Sequence, residues 1–256
     1  VSDVLVENNV PTTSDKLGLS YERISKINPE IVVINMPGFG LNGPYRGYRT
    51  LGSHIDGISS HATLRGYPDL GLESQTDIYF SDTAGGANCA LAVLMALRHR
   101  RRTGRGQLIE LAQVENYTSY LSDVTMDYIG NGRIQKSLGN RHGTMVPHGC
   151  YPCLGEDQWI MISVATEEQW DGLLKAMAKP SWASERRFAT YLNRYTNQDE
   201  VDALLSSWTK HLDKMQIMHL LQKEGVPAGP VLDHSEVFAS PQLKNRKFFQ
   251  EVSQVG

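Results

Sequence analysis

Cysteine is scarce in this chain: three residues in 256. Three cannot build a disulfide scaffold, and a reduced, cytoplasmic setting fits that usage. An excess of one charge is lacking too. Lys and Arg number 25 against 28 Asp and Glu, a net −3. That argues against a nucleic-acid binder living on a basic face. No stretch reaches the roughly 18 consecutive apolar residues of a membrane-crossing helix, so none is expected, and the first residues do not read as a signal peptide. Familiar catalytic signatures are missing: no Gly-x-Ser-x-Gly elbow, no Walker loop and no Gly-x-Gly-x-x-Gly after a strand. Cys150-Tyr151-Pro152-Cys153 has a metal-like spacing but no second Cys or His pair at finger distance. In a strand its two thiols would point to opposite faces. His54, His61, His142 and His148 are scattered, so no metal is expected. An initiator methionine is also absent, and the chain starts almost at once with Val4-Leu5-Val6. It reads as an internal piece of a longer polypeptide, one whose sheet would lack neighbours and aggregate on its own.

What is present reads as α/β. Val4 to Glu7 predicts a buried strand ended by Asn8-Asn9-Val10-Pro11. A helix beginning after Ser20 runs to Ile27, and Ile31 to Ile34 is an apolar run without alternation, as in a parallel sheet covered on both faces. Strand, helix, strand at this spacing is a βαβ unit. The loop Pro37 to Pro44 follows at a strand's carboxyl end, where open α/β sheets bind ligands. Gly52 to Thr63 predicts a helix and Arg65 to Gln75 a loop. Asp82 to Arg102 predicts the strongest helix, apolar nearly all round and therefore buried, with arginines at its carboxyl end. Leu108 to Leu111 predicts a strand and Ala112 to Ile129 one helix. Gly130 to His148 is rich in Gly, Asn, Arg and His and reads as linker and loop. Strands near Cys150–Leu154 and Trp159–Val164 follow, then helices near 167–178, 198–211 and 214–224, and a strand over Val226–Val231.

Asp82 is the residue that looks chemical. Its plain role is a helix N-cap, worth about 1 kcal/mol. Two features point further. Gly85 and Gly86 in the opening turn cost the helix up to about 1 kcal/mol each, which makes sense if something must approach the backbone closely. The helix also follows a long Gly/Pro-rich stretch where a pocket belongs. A carboxylate at a helix amino end is favoured in its ionised form. It can attack a carbonyl, and glycine N–H groups can meet the oxyanion that forms. Such chemistry suits acyl transfer from a thioester.

These residues lie within a wider pattern. Glu7-Asn8-Asn9-Val10-Pro11, Lys16-Leu17-Gly18-Leu19, Asn28-Pro29, Gly38-Phe39-Gly40 and Gly43-Pro44-Tyr45 come first. Ser81-Asp82-Thr83-Ala84-Gly85-Gly86 and Arg102 to Gln107 follow, then Gly139-Asn140-Arg141-His142 with Pro147-His148-Gly149. Gly225 to Val231 and Pro241-Gln242-Leu243 close it. In this order the motifs resemble the class III CoA-transferase family, which includes formyl-CoA transferase, the carnitine CoA-transferases and α-methylacyl-CoA racemase.

The resemblance implies a Rossmann-like large domain with a parallel sheet plus a smaller α+β domain, in a dimer of interlocked rings. Residues 1–125 would be part of the large CoA-binding domain, 126–139 a linker, 140–225 the small domain, and 226–256 a linker returning to the large domain. The family's first β/α units and its closing part would lie outside this chain. Position by position, it implies that Asp82 is the catalytic aspartate, acylated and then converted to a CoA thioester of its own carboxyl. Tyr48 falls where transferases carry an active-site tyrosine and the racemase a histidine. Lys16 and Arg46 fall where basic residues meet CoA phosphates, Asn8 and Asn9 by the adenosine end. Gly139, Asn140, Arg141 and His142 match a small-domain loop that covers the active site, here without its glycine-only form. The activity implied is transfer of CoA from an acyl-CoA to a carboxylic acid, with no bound cofactor or metal. Its alternatives are a racemase-like isomerase or an inactive CoA-binding scaffold. Without the resemblance, Lys16, Arg46 and Arg141 read as solvated surface charges and Tyr48 as a loop aromatic.

Overall fold

The computed structural model describes residues 2–76 and 78–253 and divides into two units, residues 1–139 and 140–256. In the first unit, β1 (Val4–Glu7) leads through the turn at Asn8-Asn9 into α1 (Pro11–Leu17). Pro11 opens this helix, where a missing N–H costs nothing, and Gly18 closes it at φ +71°. The sequence reading had a turn here and no helix. Next come α2 (Tyr21–Ile27) and β2 (Val32–Asn35). Later in the chain β3 (Gln107–Glu110) completes a parallel sheet ordered β1-β2-β3, with Val33 facing Leu5 on one side and Leu108 on the other. The all-apolar β2 is central, and Val32, Val33 and Ile34 are fully buried. β1 is an edge strand, and Val6 is exposed, not buried as its apolar run suggested.

The stretch 52–63 is two helices where one was expected: α3 (Gly52–Ile58) and α4 (His61–Leu64), parted where Ser60 takes φ +67°. The long helix α5 spans Phe80–Thr103. By length and composition alone it is apolar enough to cross a membrane, a test that the core helix of a soluble protein also passes. Its buried residues Ser81, Gly85, Cys89 and Ala96 share one stripe. Cys89 packs with Ile34 and Met36 of the sheet. The expectation of burial all round fails: Leu91, Leu94 and Met95 are 58, 66 and 64% exposed. A helix lying on a sheet covers one face only, and composition does not say what meets the other. The single helix expected over 112–129 is also two: α6 (Gln113–Thr118) and α7 (Ser122–Asn131). Thr118 and Ser119 side chains bond back to the Val114 and Asn116 carbonyls at this join, competing with the helical ladder. The stretch read as a linker from 126 is therefore helical as far as Asn131.

The second unit is an antiparallel sheet of β4 (His148–Pro152), β5 (Trp159–Ser163) and β6 (Ala228–Pro230). Residues 228–230, expected in a linker or strand, pair with β5. The sheet packs with α8 (Glu167–Ala176), α10 (Gln198–Thr209) and α11 (Lys214–Lys223), the short α9 (Tyr191–Thr196) lying between α8 and α10 in the chain. Their core joins Tyr151, Ile160, Ile162, Leu173, Phe188, Leu205 and Leu221. Alternating burial along β4 and β5 fits a sheet with one face inside. Two short helices, α12 (His234–Ala239) and α13 (Pro241–Asn245), end the described chain.

Candidate active site

Asp82 is not the N-cap its position suggested. Tyr79 occupies that place in a left-handed conformation (φ 54°, ψ 37°), and Asp82 is the third helical residue of α5. It is exposed and belongs to the positive end of a 24-residue helix, which favours an anion there. A cleft of about 400 Å³ opens beside it. Its walls come from the ends of β1 and β2, from the loop 48–51, and from the heads of α3, α5 and α6.

Close approach within the protein builds this cleft at Gly52 and Gly38, while Gly85 and Gly86 leave room on their side of the α5 head. A Cβ at Gly86 would meet nothing within 4 Å, and one at Gly85 would make an ordinary 3.4 Å contact with Met36 Cε. Gly52 and Gly38 carry the demand instead. A Cβ at Gly52 would fall 2.3 Å from Asp82 Oδ2 and 2.6 Å from Tyr79 Cδ1. One at Gly38 would fall 2.2 Å from Thr50 Oγ1. Ser81, fully buried, donates from Oγ to the Gly52 carbonyl at 3.3 Å. The first turn of α3 is thereby wedged against the first turn of α5, with Asp82 resting on Gly52.

Of the residues singled out from the sequence, Asp82, Tyr48, Asn8 and Asn9 all line this cleft. The backbone at Asn9 is held by Glu7, whose carboxylate accepts from the Asn9 N–H at 2.8 Å and from the Ser14 hydroxyl. Tyr48 is held by rings: it stacks on Tyr45 at 5.0 Å and meets Phe39 edge-on at 6.1 Å. Lys16 and Arg46 are exposed and do not line the cleft. Arg49 is the cation that does. Gly139 closes the first unit at φ +64° against the Tyr67 ring.

Asn140, Arg141 and His142 belong to the second unit. There Arg141 is pinned to α10, with Nη2 donating to Asp199 Oδ1 at 2.5 Å and Asp202 Oδ2 at 2.8 Å. Tyr151 donates to the other Asp202 oxygen at 2.8 Å. His142 packs on His148, whose Nδ1 lies 2.7 Å from the Asn140 carbonyl.

Sequence reasoning missed Arg49, Thr50, Gly52 and Gln113. Gln113 is buried at the head of α6 and donates to the Met36 carbonyl at 2.8 Å, tying α6 to the end of β2. Gly52 could have been suspected only as a glycine opening a helix. Neither His54 nor His61 lines the cleft. His54 Nδ1 accepts from the Leu51 N–H at the start of α3, and His61 bonds Tyr117 on α6 at 2.9 Å. Among the described residues no group of three or more His, Cys, Asp or Glu is placed to hold a metal.

The sequence model of CoA-transferase family III matches residues 1–256. Succinyl-CoA–D-citramalate CoA-transferase of Chloroflexus aurantiacus is 29% identical over 96% of this chain and 60% of its own length. Acetyl-CoA:oxalate CoA-transferase of Acetobacter aceti is 30% identical over 96% of this chain and 62% of its own. The crystal structure of a CAIB/BAIF family protein from Brucella suis superposes with a TM-score of 0.85 at 32% identity, covering 96% of this chain and 64% of that one. The chain thus spans about three fifths of the length of these relatives.

Proposed function

This chain belongs to CoA-transferase family III, and from that premise we propose that it carries the nucleophile of a CoA-transferase, Asp82. The observation that carries the reading is an exposed carboxylate on the wall of a cleft of about 400 Å³ that also holds Tyr48, Asn8 and Asn9. The relatives' names, each a transfer of CoA between two acids, support the same class of reaction here.

The steps follow from carboxylate chemistry. Asp82 attacks the thioester carbonyl of an acyl-CoA, the C–S bond breaks, and CoA thiolate leaves a mixed anhydride on the enzyme. The thiolate attacks the aspartyl carbonyl, releasing the donor acid and leaving an aspartyl-CoA thioester. An acceptor carboxylate attacks that thioester and expels the thiolate again. The thiolate then takes the acceptor's acyl group from the second anhydride, which restores Asp82. Each step passes through a tetrahedral oxyanion, and oriented N–H or O–H donors at such a site are worth about 10²–10³ in rate. Tyr48 and Gly38 line the cleft, and the Tyr48 hydroxyl and the Gly38 N–H are the candidate donors. Asn8, Asn9 and Arg49 supply polar and cationic groups for CoA.

Racemisation would need an acid/base pair about the α-carbon. The cleft wall offers Asp82 and no histidine, which favours transfer. The test uses the full-length protein. Incubation with acetyl-CoA or succinyl-CoA is expected to give a hydroxylamine- and borohydride-sensitive adduct on Asp82, and Asp82→Asn is expected to lose adduct and turnover while keeping its melting temperature. CoA binding without an adduct from any donor points to a scaffold. Exchange of the α-proton with deuterated water, without an acceptor acid, points to a racemase.

A further inference from the structure

An ionisable side chain buried without hydrogen bonds is costly to keep, and Asp56 is one. It lies on α3, 1% exposed, and neither carboxylate oxygen has a hydrogen-bond partner among the described residues. What faces it lies at longer range: the His61 imidazole, with Nδ1 at 3.8 Å, and the Arg65 guanidinium, with Nη2 at 3.9 Å. Those partners are fixed in turn. His61 Nδ1 is 2.9 Å from Tyr117 Oη on α6, and its ring meets Phe80, the first residue of α5, at 5.9 Å. Arg65 donates through Nη1 to the Thr76 carbonyl at 2.9 Å. One carboxylate therefore sits where α3, α4, the head of α5 and the last turn of α6 converge.

Asp56 is about one helical turn along α3 from Gly52. Gly52 touches Asp82, and its carbonyl is bonded to Ser81. With so little clearance between Gly52 and Asp82, any slip of α3 along its axis reaches the Asp82 carboxylate directly. We propose that Asp56 is a positioning residue for Asp82: its buried charge, held between His61 and Arg65, sets the register of α3 and so the orientation of the reactive carboxylate. The proposal rests on Asp82 being the nucleophile. It gives a role to a carboxylate at a position where an apolar side chain would bury more cheaply.

A salt bridge serving stability alone makes a different forecast, because breaking one partner of a buried pair is costly while replacing both by neutral groups is often harmless. The full-length enzyme is therefore compared as wild type, Asp56→Asn, and the double variant Asp56→Asn with Arg65→Gln. Melting temperature, donor KM and the rate of Asp82 adduct formation are measured with whichever of acetyl-CoA or succinyl-CoA labels the wild type. Asp56→Asn is expected to melt lower and to form adduct roughly 10- to 100-fold more slowly at saturating donor, the scale of an ångström-sized misplacement, with donor KM within about threefold. The double variant is expected to melt near wild type and stay slow. Adduct formation at the wild-type rate in the folded double variant overturns the proposal, as does the same result in folded Asp56→Asn if the double variant fails to fold. A wild type that no donor labels removes the nucleophile itself, and the proposal with it.

Discussion

Replacing Gly52 by alanine tests the architecture of the cleft most sharply. The added methyl would lie 2.3 Å from Asp82 Oδ2, whereas an unstrained carbon–oxygen contact is about 3.3 Å or longer. One of the two must move by about 1 Å. α3 cannot give way easily, since Ile55 and Asp56 on its inner face are both 1% exposed. The Asp82 carboxylate is the end of an exposed side chain and can swing into the cleft. Stability should therefore change by no more than about 1 kcal/mol, the clash partly offset by alanine's better helix propensity. Turnover should fall by about 10²-fold, the penalty of a nucleophile displaced by an ångström, equivalent to about 2.7 kcal/mol of barrier. Thermal melts and the exchange of CoA between two acids, followed by chromatography of the thioesters, read the two quantities separately. A Gly52→Ala enzyme with wild-type turnover would refute the claim that Asp82 works where it rests. A collapse in melting temperature would show that the glycine serves the fold.

Other expectations follow from particular contacts. Gly106→Ala would put a Cβ 1.9 Å from the Ile31 carbonyl oxygen; because that is backbone beside the central strand, it should cost about 3 kcal/mol or more, read by urea denaturation. Arg141→Ala removes the ties to Asp199 and Asp202, but Arg141 is 39% exposed at its side chain, so solvent screening limits the loss to about 1 kcal/mol. That loss should shrink as salt is raised from low ionic strength. His61 is held below its usual pKa, first by burial and then by the Arg65 charge, with Asp56 opposing. The folded protein thus favours neutral His61, and the unfolded chain takes up its proton first as pH falls. This contribution to stability is present above about pH 6.5, the unfolded value, and declines below it. The melting temperature of His61→Gln should therefore fall less steeply than that of wild type between pH 7 and 5.5.

Some elements were legible because their signal is local. The apolar run 31–34 announces a strand covered on both faces whatever surrounds it. Pro29 bounds the preceding helix, and Gly104 ends α5 at φ +69°. Breaks inside apparent helices were not legible. Ser60 and the 118–121 join depend on backbone angles and side-chain bonds that composition does not encode. The exposed face of α5 was misread for a related reason: an apolar stripe does not state whether anything packs on it.

At the candidate site, the type of residue was readable and its surroundings were not. Asp82, Tyr48, Asn8 and Asn9 stand out as chemistry-bearing residues in a motif order, and the fold brings them to one cleft. Lys16 and Arg46 carry the right charge but leave the cleft wall to Arg49, since a charge in a sequence has no direction until the loop beneath it is folded. The glycines in sequence next to Asp82 would tolerate a Cβ without a protein clash, while Gly52, 30 positions earlier, is the one pressed against it. Side-chain chemistry and strand-forming pattern are properties of short segments, and the amino-acid order determined them. Clearance, burial and the convergence on Asp56 are distances between segments far apart in the chain, and only packing in three dimensions decided those.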